Sequence, residues 1–128
     1  MADRKLPAPQ ANIETEAYWK AAGEGKLLVK HCTACGQAHH YPRALCPFCF
    51  SGKTEWKQCS GKGTLYSYSV MRRAPVPYAI AYVTLAEGPT MLTNMTDCDF
   101  DKLKIGQPVK VVFKPSEGGP PLPMFTSA

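Results

Sequence analysis

The stretch that decides how the first half of the chain folds contains CTACG at residues 32–36 and CPFC at residues 46–49, with ten residues between the two cysteine pairs. Two residues between paired cysteines let a tight turn direct both sulfurs at one point, and two such pairs complete tetrahedral coordination of one metal ion. Gly36 stands where such a turn favours a positive φ. We therefore predict one structural zinc per chain, bound by the four cysteines of the two pairs: Cys32, Cys35, Cys46 and Cys49.

Other interpretations of the cysteines stay open from the sequence. Iron in a rubredoxin-like site also suits four thiolates, and two pairs of buried or redox-active thiols need no metal. His31, His39 and His40 lie beside the pairs and are alternative ligands, although four cysteines already fill a tetrahedral site. Cys59 and Cys98 stand alone with no nearby base, so we expect them to act as small apolar residues.

Composition places the chain among ordinary folded proteins. It has 128 residues, of which 45% are hydrophobic and 20% charged. No apolar run is long enough to span a bilayer or to serve as a signal peptide, so we expect a cytoplasmic protein with reduced thiols. The net charge of +5 is compatible with an anionic partner such as nucleic acid, a phosphorylated cofactor or an acidic protein surface.

The sequence around the cysteines predicts a mainly β fold: an N-terminal helix, a rubredoxin-like zinc ribbon and a C-terminal OB-fold β-barrel. The helix is expected to begin after Asn12, to end at Gly23 or Gly25, and to bury one face. That face consists of Ile13, Ala17 and Ala21, with Tyr18 and Ala22 beside them. Short β-forming segments separated by glycines follow the ribbon. The predicted regions are 1–30 for an arm and helix, 31–53 for the ribbon, 54–114 for the barrel, and 115–128 for an extended tail rich in proline and glycine.

No catalytic motif is visible, and we predict no catalytic residue in this chain. Lys62, Arg72 and Arg73 form the most concentrated group of cations outside the termini, and they are candidates to contact a phosphate group or a partner protein. Tyr66 and Tyr68 are expected to share one face of a strand, where aromatic rings stack on bases in some OB-folds. A single-stranded nucleic-acid-binding protein is therefore the alternative function.

A series of short motifs resembles the DUF35 family of zinc-ribbon and OB-fold proteins over roughly residues 14–125. Besides the two cysteine pairs, the matching motifs are YW at 18–19, GKL at 25–27, YPR at 41–43, GKGTLYS at 61–67, PY at 77–78, LAEG at 85–88 and IGQPV at 105–109. Phe50 departs from the pattern, because a small residue or glycine is common after the second cysteine pair.

The resemblance implies a role beyond what the residues indicate. Proteins of this family accompany thiolase-superfamily enzymes that act on acyl-CoA, including thiolases, acyltransferases and aldolases. The resemblance therefore implies a zinc-containing accessory subunit of a hetero-oligomer, with a CoA thioester as the substrate of the complex. It implies that the small subunit binds the enzyme and helps to form or cover the acyl-CoA site, or channels intermediates, without membrane or nucleic acid.

Overall fold

The computed structural model describes residues 5–128 and confirms the predicted fold class. One helix, α1, is followed by eight strands and a short 3₁₀ turn at Phe100–Lys102. The elements are α1 (Glu16–Gly23), β1 (Leu28–Cys32), β2 (Ala38–His39), β3 (Thr54–Gln58), β4 (Lys62–Met71), β5 (Tyr78–Leu85), β6 (Thr90–Met95), β7 (Pro108–Ser116) and β8 (Gly119–Ser127).

The strands form two sheets. A three-stranded antiparallel sheet in the order β2-β1-β3 carries the cysteine pairs, and a closed barrel has the order β4-β5-β6-β8-β7. Neighbouring strands in the barrel are antiparallel except β6 and β8, which run parallel and share one register pair, Met95 with Phe125. Among residues 5–128, no helix is long and apolar enough to cross a bilayer.

One core connects the barrel to the preceding elements. Leu65, Val83 and Phe125 are fully buried inside the barrel, and Tyr18 of α1 and Val29 of β1 belong to the same cluster of buried side chains. Burial of apolar area is the main favourable term in folding, so the ribbon, the helix and the barrel stabilise one another through this common core.

The region boundaries differ from the predicted ones. Residues 115–128 are not a separate extended tail, since β8 closes the barrel and Phe125 is fully buried. Residues 54–58 form β3, which pairs with β1 in the ribbon sheet and not with a barrel strand. The barrel therefore spans Lys62–Ser127, and the ribbon sheet spans Leu28–Gln58.

The N-terminal segment also differs from the predicted one. Within the described part of the predicted arm, Leu6 is buried and its carbonyl accepts a hydrogen bond from the backbone N–H of Glu117; residues 1–4 lie outside the described part. The helix buries Tyr18, Ala21 and Ala22, whereas Ile13 precedes it and is 91% exposed. Ala17, which was also predicted to be buried, is exposed. The predicted face is therefore correct at Tyr18, Ala21 and Ala22 and wrong at Ile13 and Ala17.

Candidate metal centre

The four predicted cysteine ligands lie together. Their sulfurs are all within 4.8 Å of one another, with 3.6 Å between Cys32 and Cys49 and 3.7 Å between Cys35 and Cys46. A zinc ion with Zn–S bonds of about 2.3 Å requires sulfurs about 3.8 Å apart in a regular tetrahedron. The cluster therefore fits one zinc ion, and the four sulfurs supply all four coordination positions.

The two cysteine pairs adopt the same backbone turn. The N–H of Gly36 donates to the carbonyl of Cys32 at 2.9 Å, and the N–H of Phe50 donates to the carbonyl of Cys46 at 2.8 Å. Both residues have positive φ, 80° at Gly36 and 64° at Phe50. The second turn therefore forms in the expected geometry, although a side chain stands where glycine is the usual residue.

Backbone N–H groups within the turns point at sulfur. The N–H of Cys35 lies 3.5 Å from the sulfur of Cys32, and the N–H of Phe48 lies 3.4 Å from the sulfur of Cys46. Burial raises the pKa of Cys46, but the backbone N–H groups of Cys49 and Phe48, together with hydrogen bonds from the thiols of Cys35 and Cys49, lower it to about 7. Such donors stabilise the thiolate, which is the form that binds metal.

The histidines near the turns lie outside the sulfur cluster. Nδ1 of His31 is 3.2 Å from a carboxylate oxygen of Glu55, and His39 is buried in β2. Nε2 of His40 lies 3.2 Å from the hydroxyl of Tyr18, and burial lowers the pKa of His40 to about 4. His40 is therefore neutral at neutral pH and serves the packing of α1 against the ribbon.

The two remaining cysteines do not form a second site among the described residues. Cys59 is buried, and burial together with the neighbouring Glu87 carboxylate raises its pKa to about 12. Its thiol is therefore protonated at neutral pH and is a weak nucleophile. Cys98 is partly exposed beside Asp97 and Asp99.

The structure separates the cations that the sequence grouped. Lys62 begins β4 and Arg72 follows its end, so the two residues are ten positions apart along an extended strand. At about 3.3 Å per residue, this distance is roughly 30 Å. The guanidinium of Arg72 contacts the carboxylate of Asp101 at 2.7 Å, whereas Arg73 is exposed.

A β-bulge separates the two tyrosines of β4. Leu65 pairs with Val83 and Ser67 pairs with Tyr82, so Tyr66 is an extra residue with no partner in the register. Tyr68 lies opposite the buried residue Ala81, and its hydroxyl donates to the carbonyl of Leu103. The expectation that both rings share one face is therefore wrong, because the bulge shifts the alternation of the strand by one residue.

Sequence reasoning missed a groove that joins the helix, the ribbon and the barrel. It has a volume of about 230 Å³ and lies where β6 and β8 diverge, and its lining includes Trp19, Tyr41, Leu92 and Pro123. The indole N–H of Trp19 donates to the hydroxyl of Tyr41 at 3.0 Å. The motifs YW and YPR marked these aromatic residues, but the sequence does not show that they meet.

Comparison with known proteins covers both parts of the fold. A family profile described as "ChsH2, rubredoxin-like zinc ribbon domain" matches residues 19–55, and one described as "ChsH2, C-terminal OB-fold domain" matches residues 56–114. A "DUF35 domain-containing scaffold protein" of Methanothermobacter thermautotrophicus is 38% identical over 79% of this chain and 82% of its own length.

Two further matches extend over nearly the whole chain. A "probable enoyl-CoA hydratase alpha subunit" of Thermomonospora curvata is 32% identical over 95% of this chain, which spans only 40% of that protein's length. A solved structure titled "Ltp2-ChsH2(DUF35) aldolase" has a TM-score of 0.82 and 31% identity, covering 93% of this chain and 98% of that one. The chain therefore belongs to the DUF35 family of zinc-ribbon and OB-fold proteins.

Proposed function

We propose that the chain is a non-catalytic accessory subunit that binds a thiolase-superfamily enzyme and helps to form or cover its acyl-CoA site, or channels its intermediates. The observation that carries this proposal is the likeness to a chain of the Ltp2-ChsH2(DUF35) aldolase over nearly the full length of both chains. The words "scaffold" and "enoyl-CoA hydratase alpha subunit" in the names of two relatives support it. The thiolase-superfamily partner follows from the family resemblance.

The metal in this proposal has a structural role. Cys32, Cys35, Cys46 and Cys49 would hold one zinc ion and leave no coordination position for a substrate. Their sulfurs form the one cluster of three or more cysteine, histidine or carboxylate side chains with metal-binding geometry in residues 5–128. The reacting groups therefore belong to the partner enzyme.

The cations remain candidates to contact the phosphates of CoA or the partner, but as two separate groups. Arg73 is exposed, and Arg72 beside it shares its charge with Asp101. Lys62 lies directly opposite Lys110 of β7, where two like charges are unfavourable without an anion. The pair formed by Lys62 and Lys110 is the better candidate for a phosphate contact than the pair of arginines, because Arg72 already contacts the carboxylate of Asp101.

The nucleic-acid alternative has less support. Binding of single strands needs cations that follow the backbone of the nucleic acid, together with aromatic rings for the bases. β5 and β6 contain no lysine or arginine, and Tyr68 pairs with an interior residue. The barrel therefore has exposed aromatic rings, but β5 and β6 have no cations beside these rings to bind the phosphates of a nucleic acid.

The proposal is tested by recovering the tagged chain from its native host after nuclease treatment at moderate salt. We expect a thiolase-superfamily protein in stoichiometric amount, about one zinc per small chain, and acyl-CoA turnover by the complex but not by the isolated chain. In the same complex, replacing Lys62 or Arg73 with alanine should raise the KM for acyl-CoA and leave kcat unchanged if that residue contacts CoA phosphate.

Two other outcomes of this experiment would point to a different function. Recovery of the small chain without an enzyme, together with binding of single-stranded nucleic acid that weakens steeply with salt, would reject the accessory role. A red protein with one iron per chain would instead identify a rubredoxin-like site.

A further inference from the structure

Three consecutive strands of the barrel are almost free of charge. β4, β5 and β6 have ten, eight and six residues, and their one charged residue is Lys62 at the start of β4. In the whole sequence 20% of residues are charged. The outward side of an antiparallel sheet that faces water is normally polar and charged, so these strands do not have the composition of a solvated surface.

Five of the outward residues on these strands are large and apolar, and the small or uncharged polar residues Ser67, Ser69 and Asn94 lie among them. Tyr82 of β5 is 47% exposed and pairs with Leu92 of β6, which is 58% exposed, while Tyr66 at the bulge is 64% exposed. Ile80 and Met71 extend the same side toward the other end of the strands, and both are about half exposed. We call these five residues the uncharged face: Tyr66, Met71, Ile80, Tyr82 and Leu92.

The uncharged face is large enough to matter for association. Large side chains present roughly 150–250 Å² each when fully exposed, so these five, each about half exposed, leave on the order of 500 Å² of mainly apolar area. This matches the largest patches found on monomers, which are often functional, and with its rim it approaches the ~800 Å² that each partner contributes to a standard interface.

The uncharged face continues into the groove between the helix and the barrel. Leu92 belongs to both, because it pairs with Tyr82 on the sheet and lines the groove together with Trp19 and Tyr41. Aromatic side chains such as these are enriched at the centres of protein interfaces. The surface thus runs without a lysine, arginine or carboxylate side chain from β4 to α1 across the described residues that form it.

The net charge of this chain favours a different protein, and not a second copy of the same chain, as the partner that covers the uncharged face. Two copies would bring together chains that each carry a net charge of +5. Arg73 follows β4 at the rim of the uncharged face and is exposed, whereas Arg72 beside it is already paired with Asp101. A partner with carboxylates around an apolar centre is complementary to this exposed cation. Nucleic acid is disfavoured, since no cation lies within the face.

We propose that the uncharged face and the adjoining groove dock a larger enzyme subunit through an apolar, uncharged surface bordered by carboxylates. This inference rests on the proposed function and assigns the surface through which the accessory subunit would act. Leu92 lies at the junction of sheet and groove and would be the most deeply buried contact.

The experiment uses the thiolase-superfamily protein identified with the tagged chain, purified separately and titrated against zinc-loaded variants by calorimetry. We expect Leu92→Asp to weaken the Kd by 30-fold or more, as for a central interface residue. The matched control is Ile105→Asp, which changes an even more exposed aliphatic residue in the turn before β7 and should change the Kd by less than twofold. Leu92→Asn gives the same test without adding charge if the aspartate variant fails to fold.

Other outcomes overturn the inference in distinguishable ways. Unchanged affinity for both Leu92 variants, with the wild-type complex intact, would place docking elsewhere and leave the accessory role standing. Loss of affinity with Phe50→Asp in their place would assign docking to the exposed side chains of the second cysteine turn. A wild-type chain that binds no enzyme but forms a dimer disrupted by Leu92→Asp would reject both the enzyme partner and the accessory role.

Discussion

Gly36 and Phe50 occupy equivalent positions after the two cysteine pairs, and only one of them is a glycine. Both have positive φ, and both donate a backbone hydrogen bond to the carbonyl of the first cysteine of their pair. An L-residue with a side chain is less stable there by about 1–2 kcal/mol, because its Cβ crowds the following carbonyl. Phe50 is 77% exposed, so its ring recovers little of that energy by packing.

Replacing Phe50 with glycine should therefore stabilise the zinc-loaded protein. We expect the free energy of unfolding to rise by about 0.5–1 kcal/mol, since the gain in backbone conformation exceeds the added entropy of the unfolded chain. Urea unfolding at fixed free zinc measures it. The matched change Gly36→Ala should act in the opposite direction, and equal effects of both substitutions would contradict the conformational explanation.

At the scale of elements, β4 is constrained by two neighbours at once. Gly63 pairs with Leu85 of β5 and with Val109 of β7, at the point where the barrel closes. A Cβ at this position would lie 2.6 Å from a methyl carbon of Val83 and 2.9 Å from the carbonyl oxygen of Thr84. The glycine is therefore required by the close approach of the strands and not by its φ.

Gly63→Ala should destabilise the barrel by about 1–3 kcal/mol, the usual effect of an added methyl group in a tightly packed site. Thermal and urea unfolding monitored by circular dichroism measure the change. Gly23→Ala is the control, because a Cβ at the end of α1 has nothing within 4 Å. It should be neutral or stabilising by up to about 1 kcal/mol. Unchanged stability of Gly63→Ala would instead show that β5 shifts away from the added methyl group without an energetic cost.

Sequence patterns predicted the elements whose signals are local. The cysteine spacing predicted that the four sulfurs lie together, and the short β-forming segments separated by glycines predicted strands in the barrel region. β8 escaped notice because three of its nine residues are prolines, which usually exclude a central strand. Proline has no backbone N–H to donate to a neighbouring strand. β8 tolerates prolines because it shares one register pair with β6, so few of its N–H groups donate to β6.

Properties that depend on distances across the fold were not available from the sequence. Lys62 and Arg72 are ten positions apart, which in a compact loop would place them together, but one extended strand separates them. Ile13 has the spacing of a buried helical residue, yet the helix begins only at Glu16. The uncharged face was not predicted from the sequence, because only the strand register shows which residues of β4, β5 and β6 point outward.

At the scale of the whole molecule, the ribbon and the barrel share a core. Tyr18 and Val29 pack in the same cluster as Leu65 and Val83, so loosening of the ribbon exposes apolar area of the barrel. We therefore expect the stability of the barrel to depend on the metal, although no barrel strand supplies a ligand.

Removing zinc with a chelator should lower the midpoint of thermal unfolding of the barrel by roughly 10 °C or more, because a structural zinc site contributes several kcal/mol and about 1 kcal/mol shifts the midpoint by a few degrees. Circular dichroism in the β-sheet region gives the measurement. Cys98→Ser, outside the cluster, should keep both the zinc and the midpoint. A barrel that melts at the same temperature with and without chelator would show that the two parts are independent.

The two tryptophans lie in different elements outside the barrel, and their positions determine which parts of the molecule tryptophan fluorescence reports on. Trp19 on α1 faces the groove beside Tyr41, and Trp56 on β3 lies under the amine of Lys30, 4.4 Å from the ring centre. Indole fluorescence therefore reports mainly on the helix and the ribbon, at the places where they pack against the common core. With phenylalanine in place of Trp56, any remaining change of emission on mixing with a partner would originate in the groove.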